Sequence, residues 1–338
     1  MLIREDFADA IGDTPLIRLR RASQETGCEI YGKAEFLNPG GSIKDRTALG
    51  LYDAGKKAGR IQPDTTLIEG TAGNTGIGLA LVGACRGHHT IIVMPETQSA
   101  EKIAALRLTG AEVRLVPAAR FADPKHYVYQ AEQLCESMNA EADGSAWFAN
   151  QFDNTANRDI HELTTGPEIW QALEGRIDGF ICSAGTGGSL AGIARALKAC
   201  DSNIAIGLAD PAGSALAHFI NHGELASEGN SMTEGIGSSR ITANFDNAPI
   251  DHAWSIPDAE SIPLLHDLII EEGLCMGGSS GVNIAGAMRL ARELGPGHTI
   301  VTILADTGQR YQGKLFNPAF LHDKSIPVAD WLAQAFPD

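Results

Sequence analysis

Lys44 stands in Asn38-Pro39-Gly40-Gly41-Ser42-Ile43-Lys44-Asp45-Arg46. Gly40 and Gly41 let the backbone bend closely round a ligand, and Ser42 is placed to cap a helix starting near Asp45. An amine held on such a loop suits covalent chemistry with a carbonyl group, provided its surroundings lower its pKa. The plainer alternative is a solvated surface lysine, and the glycine-rich setting weighs against it. Ala184-Gly185-Thr186-Gly187-Gly188-Ser189 offers unhindered backbone N–H groups, the hydroxyls of Thr186 and Ser189, and a helix-like stretch behind them. That is a cup for a phosphate, the plainer alternative being a tight turn. With Gly185 as its first position the sixth is Leu190, and no Gly-Lys-Ser/Thr ending occurs. The loop therefore suits one phosphate monoester better than a dinucleotide or ATP.

Two more turns carry polar groups. In Glu69-Gly70-Thr71-Ala72-Gly73-Asn74-Thr75-Gly76 the side chains of Thr71, Asn74 and Thr75 collect at a helix start. This reads either as a carboxylate site or as helix capping by Asn74 or Thr75. Gly277-Gly278-Ser279-Ser280-Gly281 fits the Gly-x-Ser-x-Gly pattern, so a serine hydrolase using Ser279, Asp306 and His322 is a rival reading. Against it, residues 271–276 make a poor strand, and the Lys44 loop and the phosphate cup are left without a role.

The elements that must position these turns alternate. Strands are expected over 30–36, 66–68, 90–94, 113–116, 180–182, 204–208 and 299–304. Helices are expected over 45–58, 75–86, 100–108, 124–138, 166–173, 189–199, 262–272 and 282–294. This order predicts an α/β fold with mostly parallel sheets, whose strand-to-helix turns bind ligands. The polar stretch 139–145 is expected as a surface loop near a domain boundary.

The 338 residues suffice for about two domains. Lys and Arg number 26 against 42 Asp and Glu, a net charge of −16. This argues against nucleic acid or an anionic membrane as the main partner. No apolar run reaches membrane-spanning length, and acids at Glu5 and Asp6 are unlike a leader peptide. A cytoplasmic protein is expected. The six cysteines lack metal-ligand spacing, and no metal site is expected.

Together these segments resemble the cysteine synthase (O-acetylserine sulfhydrylase) and cystathionine β-synthase family of pyridoxal 5'-phosphate enzymes. The likeness runs from Ile11-Gly12-Asp13-Thr14-Pro15-Leu16 to Asp306-Thr307-Gly308-Gln309-Arg310-Tyr311. It takes in Lys44-Asp45-Arg46, Gly73-Asn74-Thr75-Gly76, Gln151-Phe152-Asp153-Asn154 and Thr164-Thr165-Gly166-Pro167-Glu168. The resemblance implies fold type II, like the tryptophan synthase β-subunit: two three-layer α/β domains, a smaller mobile one over 45–155 and a larger one from 1–44 plus 156–338. It implies that Lys44 carries the cofactor and moves the Cα proton, and that Asn74 bonds its phenolic oxygen. Gly185, Thr186, Gly187, Gly188 and Ser189 would hold its phosphate, and Ser279 would face its ring nitrogen. Thr71, Gly73, Thr75 and Gln151 would bind the substrate carboxylate. The implied reaction is β-replacement, making L-cysteine from O-acetylserine, or another O-activated serine, and sulfide. The alternative is cysteine desulfhydrase chemistry giving pyruvate, ammonia and sulfide. A homodimer and a serine acetyltransferase partner are also implied. Two positions depart from the family pattern. Ala72 replaces a serine of the substrate loop, and Arg240, in Gly235-Ile236-Gly237-Ser238-Ser239-Arg240, stands where sulfhydrylases usually have an apolar aromatic residue. Arg240 is either a surface or salt-bridged residue, or a holder of a second anion on the substrate.

Overall fold

A computed structural model describes residues 3–335 apart from 72, 99 and 122. In chain order the elements begin β1 (Leu16–Arg18), α1 (Arg20–Thr26), β2 (Glu29–Ala34), α2 (Lys44–Lys57), β3 (Thr66–Gly70), α3 (Asn74–Cys85), β4 (Thr90–Pro95), α4 (Ala100–Leu108), β5 (Glu112–Val116), α5 (Tyr127–Glu141), β6 (Ala146–Phe148) and α6 (Ala156–Ile160). A π-helical turn (His161–Thr165) leads to α7 (Gly166–Ala172), β7 (Gly179–Cys182), α8 (Gly188–Cys200), β8 (Ala205–Pro211), α9 (Leu216–His222), β9 (His252–Ile256), α10 (Asp258–Glu272), α11 (Gly278–Leu294) and β10 (Thr299–Leu304). Short helices close the chain, among them α12 (Gln312–Leu315) and α13 (Pro318–Asp323).

The chain forms two compact units, Met1–Gly12 with Asn38–Ile160, and Asp13–Leu37 with His161–Asp338. Each has its own sheet, and the α/β fold class expected from the alternation is the one found. The chain changes unit at 12/13, 37/38 and 160/161, where the family likeness placed the changes at 44/45 and 155/156. The reason is α2. It packs against α3 and α6, so the loop bearing Lys44 travels with the first unit. The stretch 139–145 ends α5 and enters β6 inside that unit, away from any boundary.

The first unit's sheet is fully parallel, in the order β5-β4-β3-β6. Its central strands are apolar on both faces, as a sheet covered by two helical layers requires. Along β4, Ile91 and Val93 pack with Ala131 and Cys135 of α5, while Ile92 and Met94 turn the other way onto Ala80 and Leu106. Leu67 and Ile68 divide in the same manner. That period of two sets the register, because a one-residue slip would exchange the faces.

The second unit has six strands in the order β1-β2-β10-β7-β8-β9, parallel except for β1, which runs against β2 with Leu16 opposite Lys33. Ile30, Ile181, Ile284, Met288, Ile300 and Leu304 belong to its core. β1, β6 and β9 were not expected. β1 and β6 have three residues, too short to show a periodic pattern, and β9 has five.

Candidate active site

In the first unit Lys44 is the first residue of α2, one position earlier than the sequence suggested. The Ser42 hydroxyl accepts from the Lys44 backbone N–H at 3.2 Å. Gly41 has φ +85°. Gly40 donates its N–H to Asp45 Oδ2 at 2.6 Å, and a Cβ on Gly40 would lie 2.5 Å from the other Asp45 oxygen. The glycine loop is thus drawn onto the buried Asp45 carboxylate, which presets the start of α2. The first turns of α2 and α3 meet through Gly78, whose Cβ, if present, would sit 3.0 Å from the Lys44 carbonyl oxygen. A side chain at 78 would push the first turn of α2 away from α3.

Lys33 is the most deeply buried lysine, but its amine is committed. It donates to the Thr14 carbonyl and pairs with Glu168 Oε2 at 2.6 Å. Lys44 is half-buried on its loop.

The turn after β3 leads directly into α3. Gly73 is its N-cap, in extended backbone and with no side-chain capping bond. Asn74 and Thr75 therefore do not serve as the cap. The Thr71 hydroxyl accepts from the Gly73 N–H at 3.3 Å. Thr75 donates to Gln151 Oε1 at 2.6 Å. Ala72 lies outside the described residues.

Gln151, reached through the loop after β6, is the centre of a buried polar chain. Its backbone N–H and its side-chain Nε2 donate to Glu69, at 3.2 and 3.4 Å. Its carbonyl accepts from Asn157 Nδ2 at 2.8 Å, and Asn157 Oδ1 accepts from the Thr47 hydroxyl at 2.8 Å. The helix of Lys44, the turn of Thr75 and the loop of Gln151 are tied together in this way. Glu69 is fully buried, and burial pushes its carboxyl up to about 8, against the pull of the Gln151 N–H donors. The sequence reading missed Glu69 and Asn157 as parts of the site. Glu69 opened the quoted motif, but its depth is a tertiary fact. Asn157 carried no local signal.

In the second unit β7 ends at Cys182 and α8 starts at Gly188, so 183–187 is the strand-to-helix turn. Gly187 is the N-cap with φ +85° and no side-chain capping bond. A Cβ there would come within 2.5 Å of Phe245 Cβ, and one on Gly185 would run into the Gly235 carbonyl oxygen. The backs of both glycines are filled, and at the start of the 13-residue α8 the Gly188 N–H donates to Thr186 Oγ1 at 3.4 Å. Thr242 donates to the Thr186 carbonyl at 2.7 Å, and Ser189 Oγ lies 3.4 Å from His161 Nε2. His161 is held in turn by Thr165 Oγ1 at 2.9 Å, within the π-helical turn. These donors and this tight glycine cradle fit a phosphate monoester such as that of pyridoxal phosphate. His161 and Thr242 were not foreseen, since each acts through a fold contact with a distant loop.

Ser279 is the second residue of α11, buried, and its side chain makes no hydrogen bond to another described residue. Asn283 of the same helix accepts from the Ser183 N–H at 2.7 Å and donates to the Ile303 carbonyl at 2.7 Å. It therefore pins α11 between the ends of β7 and β10. The strained strand-to-helix elbow of a hydrolase is absent. Residues 271 and 272 end α10, and Ser279 is not among the residues with positive φ. Asp306 accepts from the Tyr311 hydroxyl at 2.6 Å, and His322, exposed on α13, bonds to neither Asp306 nor Ser279. Arg240 is half-buried in a segment pressed on the 183–187 turn. Gly237 donates to the Ala184 carbonyl at 2.7 Å, and the Ser238 hydroxyl bonds both the N–H and the carbonyl of Arg240.

Residues 7–306 match the family described as pyridoxal-phosphate dependent enzyme. The chain belongs to this family. It is 49% identical over 325 residues to cysteine synthase 1 of Emericella nidulans, covering 95% of this chain and 86% of that one. With cysteine synthase of Dictyostelium discoideum it shares 40% identity, covering 97% and 88%. Among solved structures, the O-acetylserine dependent cystathionine β-synthase of Helicobacter pylori matches with TM-score 0.83 and 35% identity, over 93% of this chain and 99% of that one. The enzyme is thus pyridoxal-phosphate dependent, as its motifs imply. Among the described residues of this family member, no helix is long and apolar enough to cross a membrane.

Proposed function

We propose that this enzyme makes L-cysteine from O-acetylserine and sulfide by β-replacement. The observation that carries the reading is the near-full-length likeness to a cysteine synthase at 49% identity. Lys44 holds the cofactor through its amine, then takes the Cα proton and later returns it. Asn74 bonds the phenolic oxygen. Gly185, Thr186, Gly187, Gly188 and Ser189 bind the phosphate, and Ser279 meets the ring nitrogen. When bound, pyridoxal phosphate supplies an electron sink for charge developing at Cα, a moderate one where a hydroxyl faces its nitrogen. Thr71, Gly73, Thr75 and Gln151 hold the substrate carboxylate and so orient the Cα–H bond. Movement of the smaller unit, which carries them, excludes water, and that exclusion favours sulfide addition over hydrolysis to pyruvate. We further propose a cytoplasmic homodimer able to bind a serine acetyltransferase.

A second reading has a specific observation behind it. The Helicobacter pylori neighbour is an O-acetylserine dependent cystathionine β-synthase, so a larger thiol such as homocysteine is the rival acceptor. Purified enzyme given O-acetylserine with sulfide, with homocysteine, or with water alone separates the readings by product. Cysteine should dominate. Cystathionine as the preferred product, or pyruvate in the presence of sulfide, would overturn the proposal. Lys44→Ala should abolish turnover and the borohydride-fixable link between cofactor and protein.

A further inference from the structure

Glu69 is the penultimate residue of β3 and is completely buried. The start of α5 closes over its neighbour in the strand, on the opposite face. A Cβ on the next residue, Gly70, would sit 2.6 Å from Val128 Cα and 3.0 Å from the Tyr127 carbonyl oxygen. A carboxyl group at such depth costs several kcal/mol unless its hydrogen bonds are made, so its partners show what it does. Two of them belong to one residue: Glu69 Oε2 accepts from the Gln151 backbone N–H and Oε1 from Gln151 Nε2.

A side-chain amide has a donor end and an acceptor end. With Nε2 turned to Glu69, Gln151 must present Oε1 to Thr75, and the Thr75 hydroxyl donates to it at 2.6 Å. The hydroxyl proton of Thr75 is thereby committed, and its oxygen is left able only to accept. Without an acceptor at position 69 the amide could turn over, and Thr75 would become the acceptor.

The geometry points to Glu69 as a positioning residue: its carboxyl sets which way round the Gln151 amide lies, and through it the donors and acceptors that Gln151 and Thr75 offer the substrate carboxylate. This inference rests on the proposal that Thr75 and Gln151 bind that carboxylate. Glu69 itself stays behind both and does not touch the substrate.

The substitution Glu69→Gln preserves volume but places an NH2 group opposite Gln151 Nε2. Two donors then face each other, and the Gln151 amide must reverse. Holoenzymes of wild type, Glu69→Gln, Glu69→Ala and Gln151→Ala are compared in KM and kcat for O-acetylserine and in thermal midpoint. Calorimetric Kd for L-alanine, which has the carboxylate but no leaving group, gives a readout independent of turnover. Glu69→Gln should raise KM and the L-alanine Kd about fivefold with kcat within about twofold, the pattern of lost substrate binding. Glu69→Ala should raise both by about tenfold or more. If the alanine variant is insoluble, Glu69→Gln decides alone. If Gln151→Ala weakens binding but Glu69→Gln leaves KM and Kd unchanged, with or without a lower thermal midpoint, Glu69 is merely structural and the inference fails. If Gln151→Ala itself leaves KM and Kd unchanged, the carboxylate site lies elsewhere, and the underlying reading fails with it.

Discussion

Glu69→Gln also has a consequence for stability, with a sign and a size. The Glu69 carboxyl is held near 8 in the folded chain and titrates near 4.5 when exposed. The folded state therefore keeps its proton more tightly than the unfolded state. Its stabilising contribution is complete below about pH 4.5, declines as the unfolded chain ionises, and is exhausted once pH passes 8. At about 1.4 kcal/mol for each pH unit between the two values, the whole loss is about 5 kcal/mol. Glutamine resembles the protonated acid in charge and cannot titrate. Glu69→Gln should thus gain on wild type by about 2–3 kcal/mol between pH 6 and pH 9. Other groups that titrate in this range cancel in the comparison. Urea unfolding of both proteins at several pH values, followed by far-ultraviolet circular dichroism, measures the difference. A gap between the two proteins that stays constant across this range would refute the reasoning, as would wild type gaining on the variant.

Three further expectations concern the proposed roles. Gly187→Asp forces an L-residue to φ +85°, sets its Cβ 2.5 Å from Phe245 Cβ, and puts a negative charge at the mouth of α8. Folded protein of that variant should carry almost no cofactor, and normal absorbance from bound cofactor would show that the phosphate lies elsewhere. Ser279→Ala should remain coloured with reduced activity, whereas esterase activity tracking fluorophosphonate labelling of Ser279 would revive the hydrolase reading. Arg240→Ala should lower kcat/KM for O-phosphoserine far more than for neutral O-acetylserine, by a factor of about ten or more if the guanidinium meets a desolvated phosphate. Equal effects on the two substrates would make Arg240 structural.

Much was legible in the chain because it is written in short-range chemistry. Turns such as Gly40-Gly41 and Gly185-Thr186-Gly187 announce themselves, since few other residues tolerate their backbone or their close neighbours. β4 and β10 declare themselves as apolar runs because both faces of a parallel sheet are covered. The glycine turn at the start of α8 needs only glycines, hydroxyls and a helix behind them, and all of these are local. Tertiary structure decided what depends on distance along the chain. Glu69 and Gln151 are 82 residues apart, and Thr47 and Asn157 are 110 apart. No periodicity connects such pairs, so only folding could show that they form one buried chain. The unit of Lys44 was settled by α2 packing on α3 and α6, not by the glycine loop that precedes it. The dismissal of the elbow at Ser279 likewise came from backbone angles, which a Gly-x-Ser-x-Gly pattern does not specify. Local motifs determine which groups are on offer. Burial and packing determine which of them are held, by what, and in which protonation state, because desolvation and hydrogen-bond geometry exist only once the chain has closed on itself.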